Sequence, residues 1–211
     1  MSYNLITYSD SHKSILWTPM KTGSSHATFM FTHFDFSTKS FDKETFELVN
    51  SKLLTKIVHH HNCSIMEQFI DYDVICTTRN PYARILSAFF YMTNMRQEEL
   101  TVQNFRMFFA KEMDKPVMLH EAYFGYPKIP KYFLRMENLY EDYLKLPFVR
   151  ESNIFQWGLL QELCDMKVNK GKNLISTSEF FTMDMIDYFY DNFTNLFDIN
   201  GYEKDSYKQF N

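Results

Sequence analysis

Lys21-Thr-Gly-Ser-Ser25 brings a mobile cation, a backbone free to turn and three hydroxyls into five residues, the equipment of a loop that holds a phosphate or sulfate group. It lies between an apolar run, Ile15-Leu-Trp17, and a segment of helical period from Ser25 to about Phe34. At such strand-to-helix junctions the helix presents unpaired backbone N–H groups and the positive end of its dipole. Lys21 supplies charge, Gly23 lets the backbone approach an anion, and Thr22, Ser24 and Ser25 offer donors. The stretch is not a Walker A loop, which needs two glycines with Lys directly after the second, whereas Lys21 precedes Gly23 by two positions. Two readings stand: a pocket for an anion, or an ordinary strand-to-helix turn.

A second stretch, Thr77 to Phe90 (TTRNPYARILSAFF), again sets a cation, Arg79, at the end of a strand, followed by Asn80-Pro81 and a helix. Arginine grips phosphate through two parallel hydrogen bonds. Ser87, eight residues on, sits roughly two helical turns further, where its hydroxyl can face the direction of entry. Pairing of Arg79 with a surface carboxylate is the alternative. The third stretch, Val58 to Ser64 (VHHHNCS), holds three adjacent histidines, the side chain that most often accepts a proton near neutral pH. Alternation along a strand points His59 and His61 the same way. A structural role, a general base and a metal ligand all remain open for them, although no further Cys/His cluster accompanies them. Lys170-Gly-Lys172-Asn173 is a basic turn that reads as a solvated loop or as a further anion contact.

The elements that must position these residues alternate. Ile15–Trp17, Lys56–His60, Asp73–Thr78 and Tyr132–Met136 read as strands, with helices from Ser25, from Ser64 to Ile70, from Pro81 to about Thr93 and from Asn138 to Leu146. Strand alternating with helix implies an α/β fold with a central parallel sheet covered on both faces. The last third reads as helix, one capped by Ser152 and running to about Leu163. Another is capped by Thr182, with Met185, Tyr188, Phe189, Phe193 and Leu196 as its core-facing stripe.

The 211 residues suit one domain, 1–211, and no Pro/Gly/Ser-rich linker divides them. A net charge of −4 argues against a general nucleic-acid binder, so any anion site is local. Cys63, Cys76 and Cys164, odd in number and without metal spacing, read as reduced thiols in a cytoplasmic setting. No apolar run approaches the roughly 20 residues that span a bilayer, so the chain reads as soluble; a catalytic domain cut from a membrane-anchored parent would look the same.

Taken together, Lys21-Thr-Gly-Ser-Ser25 and Arg79-Asn-Pro-Tyr-Ala-Arg-Ile-Leu-Ser87, in that order, resemble the sulfotransferase family, and more its carbohydrate-modifying branch. Tyr132–Tyr143 (YFLRMENLYEDY) is similar to the family's later strand with Glu-x-Leu and a helix, and Tyr190–Tyr202 (YDNFTNLFDINGY) to its closing helix. The resemblance implies a sheet like that of P-loop nucleotide kinases. It also implies 3′-phosphoadenylyl sulfate (PAPS) as donor, 3′-phosphoadenosine 5′-phosphate (PAP) as product, a sugar hydroxyl as acceptor, and no metal. On that basis Lys21, Thr22, Gly23, Ser24 and Ser25 hold the 5′-phosphosulfate, and Arg79 and Ser87 the 3′-phosphate. Lys170 and Lys172 correspond to a late loop beside the 3′-phosphate or adenine. His61, then His59, is the expected base, with Glu67 or Glu121 as substitutes. Many relatives carry an aromatic residue where this chain has His26. The rival readings are a kinase-type phosphotransferase, against which stand the missing Walker loop and Arg79 where a metal-binding Asp is wanted, and a non-catalytic nucleotide- or glycan-binding protein.

Overall fold

The computed structural model describes residues 4–19, 21–41, 48–49, 69–115, 130–156, 158–166 and 177–210. In chain order its elements are β1 (Asn4–Ser9), β2 (Ser14–Trp17), α1 (Ser24–Thr32), β3 (Ser37–Phe41), β4 (Leu48–Val49), β5 (Asp73–Thr78), α2 (Pro81–Arg96), α3 (Val102–Asp114), β6 (Tyr132–Arg135), α4 (Leu139–Tyr143), α5 (Pro147–Arg150), α6 (Asn153–Gln156), α7 (Leu160–Asp165), α8 (Thr177–Phe180), α9 (Met183–Asn192), α10 (Thr194–Asn200) and a closing 3₁₀ segment, Lys204–Phe210. The chain gathers into two compact units, Met1–Thr78 with Ala122–Lys170 and Arg79–Glu121 with Gly171–Asn211. It passes from one to the other at Thr78–Arg79 with no linker-like composition.

The first unit is α/β and holds a six-stranded sheet in the order β4-β3-β1-β2-β5-β6. Only β2-β5-β6 is parallel; β1 pairs antiparallel with both β2 and β3, and β3 with β4. The sheet is therefore mixed, where strand–helix alternation predicts a parallel one. Asp10–Lys13 is too short for a crossover helix, so β1 and β2 must form a hairpin. The alternating side chains of the parallel strands serve two cores. Leu16, Ile75 and Leu134 face a cluster with Ala27, Met30 and Phe31 of α1 and with Tyr143, Leu146 and Val149; Ile15 and Val74 face another with Tyr8, Phe69 and Tyr72. The expected strand Lys56–His60 lies outside the described residues.

The second unit is helical. Tyr82, Phe89, Phe105, Phe180, Phe189 and Phe197 stack edge-to-face or tilted in one aromatic core. Thr182 caps α9 as expected, accepting from the Met185 N–H at 3.4 Å. The predicted stripe is altered: Phe189 and Leu196 are buried, but Tyr188 is 50% exposed and Ile186 takes the inward position, because the buried face of α9 runs through Ile186 and Phe189 and Tyr188 lies about 100° round from Phe189. Back in the first unit, the helix expected from Ser152 to Leu163 is two short ones, α6 and α7. Between them stands Gly158 at a left-handed φ of 72°.

Candidate functional site

β2 and β5 run side by side in parallel, Trp17 opposite Cys76, and their continuations diverge: from β2 the chain goes on to β3, from β5 to β6, on opposite sides of the pair. Divergence at the carboxyl ends of adjacent parallel strands marks a topological switch point, where ligands of open α/β sheets collect. The Lys21–Ser25 turn follows β2 at this edge.

Within the turn, Lys21 has φ 65° and Gly23 φ 82°, while Thr22 between them is not left-handed. Such alternation can turn backbone N–H groups into a common concavity that binds anions; the Thr22 N–H itself donates to the Pro19 carbonyl at 3.3 Å. A left-handed conformation at a lysine is uncommon and persists only where neighbours enforce it. Thr22 does the enforcing. Its hydroxyl, 1% exposed with the rest of the residue, donates to the Pro19 carbonyl at 2.6 Å and meets the Thr77 hydroxyl of β5 at 2.7 Å. Since the Thr22 proton goes to Pro19, Thr77 is the donor in the second bond. The expected ligand donor is thus an internal strut across the switch point. Gly23 has a reason within the fold as well: its φ of 82° favours glycine, and a Cβ there would overlap the far end of the Met136 side chain.

Gly23 opens α1, which has no side-chain cap and no acidic residue in its own first turn, so its own residues leave the dipole's positive end uncompensated. Ser24 and Ser25, both half-buried, are its first two residues. His26 is buried, its Nε2 without a hydrogen-bond partner among the described residues, and the ring bonds the Met166 backbone. Burial pushes its pKa down against that bond, which keeps the ring neutral.

The end of β6 is locked by a carboxylate. Asp142, its side chain fully buried, receives the Arg135 backbone N–H at 2.9 Å, Arg135 Nε at 2.9 Å, Arg135 Nη2 at 2.8 Å and Lys145 Nζ at 2.6 Å. Burial alone would raise its pKa; the bonds from Arg135 and Lys145 outweigh burial and hold it below the usual carboxylate value. Met136, the next residue after this lock, is the one against Gly23.

In the second unit Arg79 is half-buried and directly precedes Asn80, which is wholly buried. The Asn80 side chain accepts from the Tyr82 and Ala83 N–H groups at 3.0 and 3.4 Å, and Pro81 fills the first helical position. Ser87 is half-buried on α2. Lys21, Thr22, Gly23, Ser24 and Ser25 belong to the first unit, Arg79 and Ser87 to the second. His59, His61, Glu67, Glu121, Lys170 and Lys172 lie outside the described residues. Among the described residues no three His, Cys, Asp or Glu side chains group as metal ligands, and no helix is long and apolar enough to cross a membrane. Cys76 and Cys164 are free thiols, that of Cys164 pushed up to about 12 by burial and then by Asp165.

Thr77, Met136 and Asp142 lie within the motif-bearing stretches but do not themselves read as site residues, because each acts by supporting a neighbour rather than by its own chemistry. Comparison with family models, with curated proteins and with solved structures finds no match.

Proposed function

We propose that this chain is a sulfotransferase of P-loop nucleotide-kinase-like fold, transferring a sulfonate group from PAPS to a hydroxyl, most readily one on a carbohydrate. The observation that carries the reading is the Lys21-Thr22-Gly23 turn: alternating left-handed residues, one of them a cation, at the switch point of β2 and β5 and ahead of an uncapped helix.

In this reading the acceptor oxygen attacks sulfur, its bond to sulfur forms as the bond to the bridging phosphate oxygen breaks, and the electron pair leaves with PAP. Positioning and electrostatics supply most of the acceleration, by analogy with phosphoryl transfer. The N–H groups of the turn, with Ser24 and Ser25, hold the 5′-phosphosulfate, and Lys21 neutralises charge growing on the leaving oxygen. Arg79 and Ser87 hold the 3′-phosphate, aided by Lys170 and Lys172. His61 or His59 takes the acceptor's proton.

Calorimetry with PAP in the absence of magnesium tests the donor site. Binding at roughly micromolar or tighter supports the reading, whereas preference for ATP with magnesium supports a phosphotransferase. Transfer of labelled sulfate to a glycan panel then separates an enzyme from a nucleotide-binding protein without turnover. Lys21→Ala abolishes transfer with a modest loss of PAP affinity, and Arg79→Ala weakens PAP binding by about 1.5–3 kcal/mol. Full turnover in Lys21→Ala at saturating donor contradicts the mechanism.

A further inference from the structure

The closing segment Lys204–Phe210 grips the start of α2 at the two residues that decide how Arg79 enters the helix. Tyr82, fully buried, donates its hydroxyl to the Lys204 carbonyl at 2.9 Å, and the Asn80 side-chain amide donates to the Ser206 carbonyl at 3.4 Å. The Tyr207 ring stands edge-on to Tyr82, with centroids 5.7 Å apart. On its other side the segment is tied to α9 by Lys204 with Asp187 at 2.9 Å and by the Tyr207 hydroxyl to Met183 Sδ at 3.7 Å.

A helix cap needs only the acceptor half of Asn80, a role that serine or aspartate fills as well. Here the donor half is used too, on a segment more than a hundred residues away, so the amide plane is held from both ends. Arg79 is the residue immediately before it, and a guanidinium that must meet a phosphate with two bonds tolerates little error in direction. We infer that the closing segment is a strap that aims Arg79, and that Tyr82 and Asn80 are positioning residues for 3′-phosphate recognition. The inference rests on the donor reading above.

The test compares affinity for PAP with affinity for adenosine 5′-phosphate, which lacks the 3′-phosphate, in the full chain. Tyr82→Phe keeps the buried ring and removes the bond to Lys204; Asn80→Ser keeps the cap and removes the bond to Ser206. Each lowers the preference for PAP by roughly threefold to tenfold, with little change in affinity for adenosine 5′-phosphate. Phe109→Leu, which loosens the same aromatic core away from the turn, leaves the ratio unchanged and serves as the control for stability alone. A wild-type preference for PAP that persists in both variants overturns the strap and leaves the donor site standing. Failure of the wild-type chain to prefer PAP overturns the donor reading itself, and the aiming role falls with it.

Discussion

Gly23→Ala separates the two demands that the turn makes on its glycine. Holding a residue with a Cβ at φ 82° costs about 1–2 kcal/mol. The added methyl also overlaps Met136 Sδ and falls 2.6 Å from its Cε and 3.1 Å from its Cγ. Relieving that overlap means swinging the far end of a flexible, half-buried methionine, a rotamer cost of about 0.5–1.5 kcal/mol. The sum, roughly 1.5–3.5 kcal/mol, is a sizeable part of what a domain of this size has in reserve. Urea unfolding of the wild-type chain, Gly23→Ala, Met136→Ala and the double variant forms a cycle in which the steric part appears as a favourable coupling of about 0.5–1.5 kcal/mol and the conformational part stays with residue 23. A cost below about 0.5 kcal/mol for Gly23→Ala, or no coupling to Met136, refutes the packing that we describe.

The remaining predictions concern groups beside the turn. Thr22→Val destabilises by about 1–3 kcal/mol by stranding the Thr77 hydroxyl, while Thr22→Val with Thr77→Val recovers most of that loss in the same unfolding assay. Because His26 is held neutral with a lowered pKa, the unfolded chain binds the extra proton first. Its contribution is intact above the unfolded value of 6.5 and is lost as pH falls through the folded one. The slope of stability below pH 6.5 therefore flattens in His26→Phe, measured by denaturation at several pH values. Asp142 has a depressed pKa, so its stabilisation is present above its ordinary value of 3.8 and lost as pH falls through the folded value. Asp142→Asn costs about 1–3 kcal/mol at neutral pH, since it weakens the charge-assisted bonds from Arg135 and Lys145, whose side chains are 33% and 57% exposed and remain solvated.

How legible these features are in the sequence depends on whether a residue's reason is local. β2, β5 and β6 stand out as short apolar runs, and Asn80-Pro81 and Thr182 announce their helices by cap chemistry that needs no tertiary partner. β1 and β3 do not stand out. Ser37-Thr-Lys-Ser-Phe41 carries one apolar residue in five, and its place in the sheet comes from backbone pairing with β1. Tyr188 follows helical period with Met185 yet is exposed, because apolar residues on neighbouring faces of α9 leave the phase open and the core takes Ile186 and Phe189. The helix expected from Ser152 to Leu163 is broken at Gly158, whose left-handed φ of 72° a continuous right-handed helix cannot hold.

The candidate site shows the same division more sharply. The sequence presents Thr22 and Gly23 as groups reaching for an anion, whereas in the fold one braces the turn against β5 and the other makes room for Met136. Anion capacity in such a turn then resides in the backbone N–H groups, which carry no side-chain signature, together with Lys21 and the α1 residues Ser24 and Ser25. This makes the turn's shape, rather than its hydroxyl count, the quantity on which binding depends. A variant that keeps the shape and loses a hydroxyl, such as Thr22→Val paired with Thr77→Val, leaves PAP affinity within about threefold, while Gly23→Ala loses it along with the left-handed geometry. The opposite ranking places the Thr22 hydroxyl in the binding site and removes the strut across β2 and β5.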